Sequence, residues 1–530
     1  MNRHSEKRIH LDVPLTLAIM LVACVPGMAL VHTSTGDVEG TVSADARIQI
    51  FRGIPYAAPP VGTLRWKPPL PAPQWKGVLK ATQFGPRCMQ VHLYDDMFFR
   101  DNGPSEDCLT LNVWTPTLSS GTRLPVMFWV HGGGDAGGSS EPRQDGEKLA
   151  EKGVVVVSCN YRLGVFGFLA LPDLAKESEH HASGNYGLLD QVAALQWVRE
   201  NIAAFGGDPG NVTIFGESAG AFSVSGLMAS PLAQGLFERA IGESGAMFGD
   251  MYSLLPLVQS EERGQKFADS LGRHTLKQMR AMPADELLQA ATKQPEDRFW
   301  RPNIDGYFLT EDTRSIYASG KQSHVPLLAG WNADEVGYDA LLEKEEPTVQ
   351  NYTARLHALF QGGAESYLKY YPAGTNADAK QSAHDLASDQ FISYATWKWI
   401  DMHAATGDSP VFRYQFDDAL PQPASVPSRG AYHSAEIEFV FDVLASKNLP
   451  WRPGDQKVSD LMSAYWTNFA KRADPNGPGL PTWPAYGRQT NYQVMHLCTN
   501  PYPRPEEHRA RYEFLDSLPH NHAASGPGTN

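Results

Sequence analysis

The stretch that decides the fold reads VTIFGESAGAFSVSGLM and occupies residues 212–228. An apolar run at 212–215 predicts a buried strand, and a run of small residues at 221–228 predicts a helix. Ser218 lies on the turn between them, where the glycines of segment 216–220 tolerate a strained backbone. This setting exposes the serine hydroxyl above the sheet as a candidate nucleophile. The pattern by itself is weak, because a chain with 47 glycines can contain it by chance.

Composition narrows the class of protein. The chain has 530 residues, of which 42% are apolar and 20% are charged, so it can bury a substantial core. The net charge of -14 and the lack of a basic patch argue against nucleic acid as a partner. Apolar runs after residue 30 are short and strand-like, so we expect no membrane span there.

The two ends of the chain differ from the rest. Residues 1–29 combine a basic start with an apolar stretch, which is typical of a signal peptide. We expect cleavage after Ala29, and the alternative is a bacterial lipoprotein site with lipid on Cys24. Both routes export the protein, to the periplasm or to the medium. The polar residues 520–530 are expected to form a disordered tail, which leaves 30–519 as a single domain.

Apolar strand segments alternate with helical segments through most of the chain. The predicted strands include residues 124–130, 154–159, 325–332 and 411–416, and one predicted helix covers 187–204. This alternation predicts an α/β protein with a central, mostly parallel sheet flanked by helices. Catalytic groups are then expected at the carboxyl ends of the strands.

Two stretches near the N-terminus make the interpretation more specific. Residues 51–62 read FRGIPYAAPPVG, and residues 105–114 read SEDCLTLNVW. Both resemble signatures of the type-B carboxylesterase family, which also includes cholinesterases and some lipases. The resemblance implies an α/β-hydrolase fold with helical insertions that form a cap over an active-site gorge. It also implies ester hydrolysis by a serine, an acid and a histidine, without a metal or an organic cofactor.

The glycine-rich segment after the strand at 124–130 is a candidate oxyanion hole. It reads His-Gly-Gly-Gly at residues 131–134, and such glycines free backbone N–H groups to point into a cavity. By resemblance the hydrogen-bond donors are the amides of Gly133, Gly134 and Ala219. The family usually has an apolar or aromatic residue after the third glycine, whereas this chain has an aspartate at 135.

A serine nucleophile needs a base to take its proton and a carboxylate to orient that base. In α/β-hydrolases the chain order is serine, acid, histidine. His433 lies in a predicted loop between a buried strand and an apolar helix, and its segment matches the family's catalytic-histidine segment. Asp334 and Glu335 both follow a predicted strand. The resemblance assigns Glu335 as the acid, although Val336 follows it where the family has glycine, and Asp334 is then a surface or capping residue.

The resemblance also implies roles for residues around these three. Glu217 and Ser244 match family positions beside the catalytic site, where a structural and a catalytic role are both open. Cys88 and Cys108 match the positions at which the family closes its first disulfide loop. The apolar residues of this loop predict that it walls the gorge above Ser218.

We therefore predict an exported serine hydrolase that cleaves small-molecule carboxylic esters. One alternative is the same triad acting on lactones, amides or polyesters, and another is a non-catalytic adhesion protein of the cholinesterase-like type. Phe98 stands where cholinesterases have the tryptophan that holds choline, so choline esters are not expected as substrates. Asp135 indicates a polar or cationic substrate portion, unless its side chain is turned to water. The oligomeric state is left open, with a monomer as the expectation.

Overall fold

The computed structural model describes residues 1, 30–118, 121, 123–249, 254–293 and 300–519. The predicted signal peptide (apart from Met1), its Cys24 and the predicted tail at 520–530 lie outside the described residues. Among the residues that are described, no helix is both long enough and apolar enough to cross a membrane.

The longer strands at the centre of the sheet follow the apolar segments that the sequence predicts, whereas the strand Gln493–Leu497 and several short strands were not predicted. In chain order the strands are β1 (Leu30–Thr33), β2 (Gly36–Glu39), β3 (Thr41–Val42), β4 (Gln49–Pro55), β5 (Val78–Lys80), β6 (Arg87–Cys88), β7 (Pro104–Ser105), β8 (Thr110–Thr115), β9 (Leu124–Val130), β10 (Val155–Cys159), β11 (Gly207–Glu217), β12 (Arg239–Glu243), β13 (Leu255–Pro256), β14 (Asn303–Ile304), β15 (Leu327–Asn332), β16 (Val411–Phe416), β17 (Gln493–Leu497) and β18 (Tyr502–Pro505).

The helices occupy the segments between and after the strands. They are α1 (Glu147–Glu151), α2 (Gly164–Phe168), α3 (Pro172–Glu177), α4 (Tyr186–Asn201), α5 (Ala219–Ala229), α6 (Leu257–Ser270), α7 (Leu276–Arg280), α8 (Ala284–Ala291), α9 (Thr313–Ala318), α10 (Asp339–Leu342), α11 (Val349–Phe360), α12 (Ala364–Tyr370), α13 (Asn376–Ser388), α14 (Tyr394–Thr406), α15 (Ile437–Val440), α16 (Pro453–Arg472) and α17 (Arg509–Ser517). A π-helical turn, Asp389–Ser393, joins α13 to α14.

One sheet of eleven strands organises the molecule, in the order β18-β17-β16-β15-β12-β11-β9-β10-β8-β4-β3. The pairs from β10 across to β17 are parallel. The pairs at both ends of the sheet are antiparallel. The prediction of a mostly parallel sheet is confirmed, and β11 lies near its centre.

The central strands are buried on both faces, which explains their continuous apolar runs. Side chains alternate between the faces. In β11 Ile214 belongs to the larger core cluster and Phe215 to the smaller one. Val224 of α5 packs in the first cluster, and Trp466 of α16 packs in the second. The two faces of the sheet are therefore covered by different helices.

Two helical insertions interrupt the alternation of strands and helices. Helices α6 to α9 lie between β12 and β15, and α10 to α14 lie between β15 and β16. The large helical region predicted from residue 434 onward is divided into separate helices. It forms the short α15, and Asp442 then takes a left-handed φ of 59°, a conformation that ends helices. The long helix α16 begins only at Pro453.

Candidate active site

Ser218 lies on a tight turn between the end of β11 and the start of α5. Its φ of 56° and ψ of −122° are unusual for a residue other than glycine. The flanking glycines are required sterically: a Cβ on Gly220 would lie 2.0 Å from the carbonyl oxygen of Val130. A Cβ on Gly216 would lie 2.7 Å from the same oxygen. The N–H of Ser218 donates to the carbonyl oxygen of Glu243 at 2.8 Å, which ties the turn to β12.

Ser218, His433 and Glu335 form a continuous chain of hydrogen bonds. Oγ of Ser218 lies 2.9 Å from Nε2 of His433. Nδ1 of the same ring lies 2.6 Å from Oε2 of Glu335. Glu335 follows β15 and His433 lies in the loop after β16, so neighbouring parallel strands deliver both residues to one edge of the sheet. The carboxylate is inaccessible to solvent, whereas the imidazole keeps 23% of its surface exposed.

Both oxygens of the Glu335 carboxylate have partners. Besides the contact with His433, Oε1 accepts a hydrogen bond from the N–H of Asn332 at 2.8 Å. The hydroxyl of Ser244, at the end of β12, donates to the same oxygen at 2.6 Å. These bonds hold the carboxylate in the orientation that contacts the imidazole.

Asp334 is more than a surface or capping residue, because it joins two elements beside the site. Its Oδ2 accepts a hydrogen bond from the N–H of Ala431, two residues before His433. Its Oδ1 lies 3.2 Å from Nε2 of His384 on α13. The two adjacent carboxylates thus point in different directions: Glu335 contacts His433, and Asp334 connects the loop of His433 to an insertion helix.

Two further buried carboxylates, Glu217 and Glu436, lie next to this pair. Oε1 of Glu217 is 3.3 Å from Nε2 of His433, and Oε2 of Glu436 accepts from Nδ2 of Asn332 at 2.6 Å. Burial raises the pKa of both carboxyls. Burial alone would lower the pKa of His433, but the charges of Glu217 and Glu335 outweigh it and raise that pKa to about 9. Within the described part of the chain, no three His, Cys, Asp or Glu side chains are arranged to hold a metal ion.

The glycine loop after β9 packs directly on the serine turn. A Cβ on Gly132 would lie 2.6 Å from the carbonyl oxygen of Glu217. Gly133 and Gly134 have φ values of 109° and 66°, which favour glycine. Ala219 is the first residue of α5, so its N–H is one of the amides that a helix start leaves without an intrahelical partner. The three predicted donors therefore lie on two backbone segments that adjoin Ser218.

A disulfide joins Cys88 to Cys108 and closes the predicted loop. The loop contacts the glycine segment: a Cβ on Gly133 would lie 3.3 Å from Cε of Met97. Phe98, in contrast, is 68% exposed. The loop therefore walls the glycine segment through some of its apolar residues, while others face solvent.

Sequence reasoning assigned no role to Phe391, which the structure places against the histidine. Its ring meets that of His433 edge to face, with 5.0 Å between the centroids and 82° between the planes. Phe391 lies in the π-helical turn between α13 and α14, a feature frequent at functional sites. No local sequence signal marks such a turn. Glu436 was also missed, and its one signal is that it and Glu438 are acidic residues within a mainly apolar segment.

The sheet and the placement of the serine turn define an α/β-hydrolase, and solved structures agree with this class. A carboxylesterase from Geobacillus stearothermophilus superposes with a TM-score of 0.79 at 34% identity, covering 91% of this chain and 99% of that one. A structure of p-nitrobenzyl (PNB) esterase gives a TM-score of 0.78 at 34% identity, with 92% and 99% covered.

The sequence comparisons then identify the family. The sequence model of the carboxylesterase family matches residues 28–515, and the chain belongs to this family. Fumonisin B1 esterase of Sphingopyxis macrogoltabida is 38% identical over 483 residues, 86% of this chain and 84% of the relative. Para-nitrobenzyl esterase of Bacillus subtilis (strain 168) is 36% identical over 486 residues, 88% and 94% of the two chains. The protein is thus a carboxylic ester hydrolase.

Proposed function

We propose that the protein hydrolyses esters through a covalent acyl-enzyme on Ser218. His433 takes the proton of the serine hydroxyl as Oγ attacks the ester carbonyl, and Glu335 stabilises the imidazolium that forms. The N–H groups of Gly133, Gly134 and Ala219 bind the oxyanion. His433 then protonates the leaving alcohol, and a water molecule, activated by the same imidazole, releases the acid and frees Ser218. No step requires a metal or an organic cofactor.

The observation that carries this proposal is the hydrogen-bond chain from Oγ of Ser218 through His433 to Oε2 of Glu335, at 2.9 Å and 2.6 Å. This chain of hydrogen bonds supports Ser218 as the nucleophile, His433 as the base and Glu335 as the acid that orients it. The three residues follow one another in the sequence in the order serine, acid, histidine, as in α/β-hydrolases. The hydrogen bond from the hydroxyl of Ser244 to the carboxylate of Glu335 supports a positioning role for Ser244. A non-catalytic adhesion protein is set aside, because such proteins typically lack the nucleophile.

Replacement of the nucleophile tests the mechanism. Ser218→Ala should lower kcat on the order of 10⁶-fold with little change in stability, since it removes a small hydroxyl and no packing. A fluorophosphonate probe should label the unmodified protein on the peptide that contains Ser218, as read by mass spectrometry. Ser223→Ala, the same substitution at a buried serine of α5, is the matched control and should keep both labelling and turnover. Undiminished turnover by Ser218→Ala would end this mechanism.

The proposed substrates are small-molecule carboxylic esters. The names of two relatives, fumonisin B1 esterase and para-nitrobenzyl esterase, refer to different esters, so family membership selects neither. Asp135 is only 1% exposed, which argues against its direct contact with a cationic substrate portion. A panel of p-nitrophenyl esters of graded chain length, extended by a lactone, an anilide and a polyester, separates the ester reaction from the alternatives on the same triad.

We also propose that the mature protein is an exported monomer formed by the single domain 30–519. The disulfide between Cys88 and Cys108 supports export, because such bonds persist in oxidising compartments. Intact mass of the mature protein tests the site of processing: a start at residue 30 supports cleavage after Ala29. A lipid-modified start at Cys24 would replace that proposal by lipoprotein processing. Light scattering tests the monomer.

A further inference from the structure

Asp135 follows the third glycine of the proposed oxyanion loop directly, and the mechanism above does not use it. The side chain is buried, and neither carboxylate oxygen has a hydrogen-bond partner among the described residues. An ionised carboxylate in such a place is strongly disfavoured, because it loses its hydration and gains no donor in return. The protonation state of Asp135 is therefore set by its surroundings.

Three side chains from three separate segments interact electrostatically with this carboxyl group. Arg301, just before β14, opposes the effect of burial, but burial prevails and raises the pKa of Asp135 to about 8. Tyr94 of the disulfide loop and Tyr161 after β10 also lie within electrostatic reach. Burial, and then the charge of nearby acids including Asp135, raises the pKa of both phenols, so they stay neutral near pH 8. We therefore expect Asp135 to be mostly protonated at pH 7 and to ionise in mildly alkaline solution.

The backbone of Asp135 is held by hydrogen bonds in and around the glycine loop. Its φ is 59°, and its carbonyl oxygen accepts a hydrogen bond from the N–H of Gly164 at 2.6 Å. The N–H groups of Ala136 and Gly137 both donate to the carbonyl oxygen of Gly133, at 3.1 Å and 3.0 Å. The residue is therefore part of the same tight turn as the glycines. The buried carboxyl group is therefore attached directly to the backbone segment that carries the proposed oxyanion donors.

We propose that Asp135 is a positioning residue that must be protonated for the oxyanion loop to work, so that its ionisation weakens the oxyanion hole. The inference rests on the oxyanion hole proposed above. Two effects act in the same direction. A negative charge beside the loop opposes the negative charge that develops on the substrate oxygen. A hydrated carboxylate also draws Gly134, its neighbour in the chain, away from Ser218.

The test is Asp135→Asn, which copies the shape of the protonated side chain and cannot ionise. The ratio of kcat/KM for the variant to that for the unmodified protein is measured at each pH, so that the titration of His433 cancels. The ratio should rise at least about tenfold between about pH 6 and pH 9.5, since loss of one oxyanion donor costs on the order of 10²–10³ in rate. Asp95→Asn makes the same substitution at a fully exposed carboxylate and should keep a flat ratio.

Thermal unfolding gives a second readout that is independent of turnover. The pKa of Asp135 in the folded protein lies above its unfolded value, so its contribution to stability is lost as pH rises through that range. The Tm of Asp135→Asn minus that of the unmodified protein should therefore increase from about pH 4 to about pH 8 and then level off.

The two readouts separate the possible failures. A Tm difference independent of pH would overturn the raised pKa of Asp135, and with it the protonated form at neutral pH. A Tm difference that grows with pH beside a flat kcat/KM ratio would overturn its link to the oxyanion hole. If Ser218 is not the nucleophile, the Ser218→Ala variant will still turn over ester. The Tm measurements do not depend on turnover, so they would still test the ionisation of Asp135.

Discussion

At the scale of single residues, the charge of His433 controls the proposed reaction. The carboxylates of Glu217 and Glu335 raise the pKa of this imidazole to about 9 against the effect of burial, and only its neutral form can act as a base. We therefore expect log(kcat/KM) to rise with a slope near one per pH unit between about pH 5 and pH 8. The measurement is the pH profile of a soluble ester, with enzyme stability checked at each pH.

Glu217→Gln provides the matched test of this electrostatic argument. It removes a carboxylate 3.3 Å from Nε2 of His433 and keeps its shape, so the acid limb of the profile should shift to lower pH. A rate independent of pH from about 5 to 8 would contradict a histidine base. An acid limb that stays in place in Glu217→Gln would contradict the role of Glu217 in setting its position.

At the scale of elements, the contact between Asp334 and His384 connects α13 to the loop that carries His433 and stabilises this packing. The hydrogen bond to Asp334 is the main cause that raises the pKa of His384 to about 9, compared with about 6.5 for an ordinary imidazole. This contribution to stability is fully present below about pH 6.5 and is lost as pH rises through about 9. Since Asp334 keeps 38% of its side chain exposed, we expect about 1 kcal/mol.

His384→Gln should accordingly lower the Tm at about pH 6 and leave it nearly unchanged above about pH 9.5. His357→Gln, at an exposed histidine of α11 that lies 3.7 Å from Glu365, is the matched control and should change the Tm little at either pH. An equal loss of Tm in the two variants at pH 6 would contradict this stabilising role. Turnover of His384→Gln then reports whether loosening α13 displaces Phe391 from the imidazole.

At the scale of the whole molecule, the disulfide between Cys88 and Cys108 links stability to the shape of the site. Its loop spans 20 residues and contacts the glycine segment through Met97. The double variant Cys88→Ser/Cys108→Ser should lose roughly 3 kcal/mol of unfolding free energy on the chain-entropy argument. It should also raise KM, because the loop is then free to leave the gorge. Calorimetry and ester kinetics measure the two effects.

Cys498→Ser is the matched control, since this half-buried cysteine is free and should be replaceable without effect. A thiol count on the denatured, unreduced mature protein checks the bond itself. Two free thiols, from Cys159 and Cys498, are expected if Cys24 is removed with the signal peptide. Four free thiols in that protein would contradict the bridge.

Much of the fold was predictable because its signals are local. Buried parallel strands require continuous apolar runs, and a serine on a strand–helix turn requires small neighbours, so segment 212–228 predicted β11, the turn and α5 correctly. The sequence also singled out His433, both because it lies in a predicted loop after an apolar strand and because its segment resembles the family's catalytic-histidine segment. The helical region predicted after that loop is divided at Asp442, whose left-handed conformation carries no local signal.

Tertiary structure alone decided which side chains meet. The sequence pattern cannot show whether Asp334 or Glu335 contacts the histidine, because two adjacent residues after a strand differ only in the direction of their side chains. In the structure Glu335 points to the imidazole of His433, and Asp334 points to His384 on α13. The contact of Phe391 with the imidazole depends on packing between segments far apart in the chain. The sequence by itself determined that an aspartate follows the glycines of the loop. Only the fold decided that Asp135 is buried without a donor, since burial is a property of everything packed around a residue.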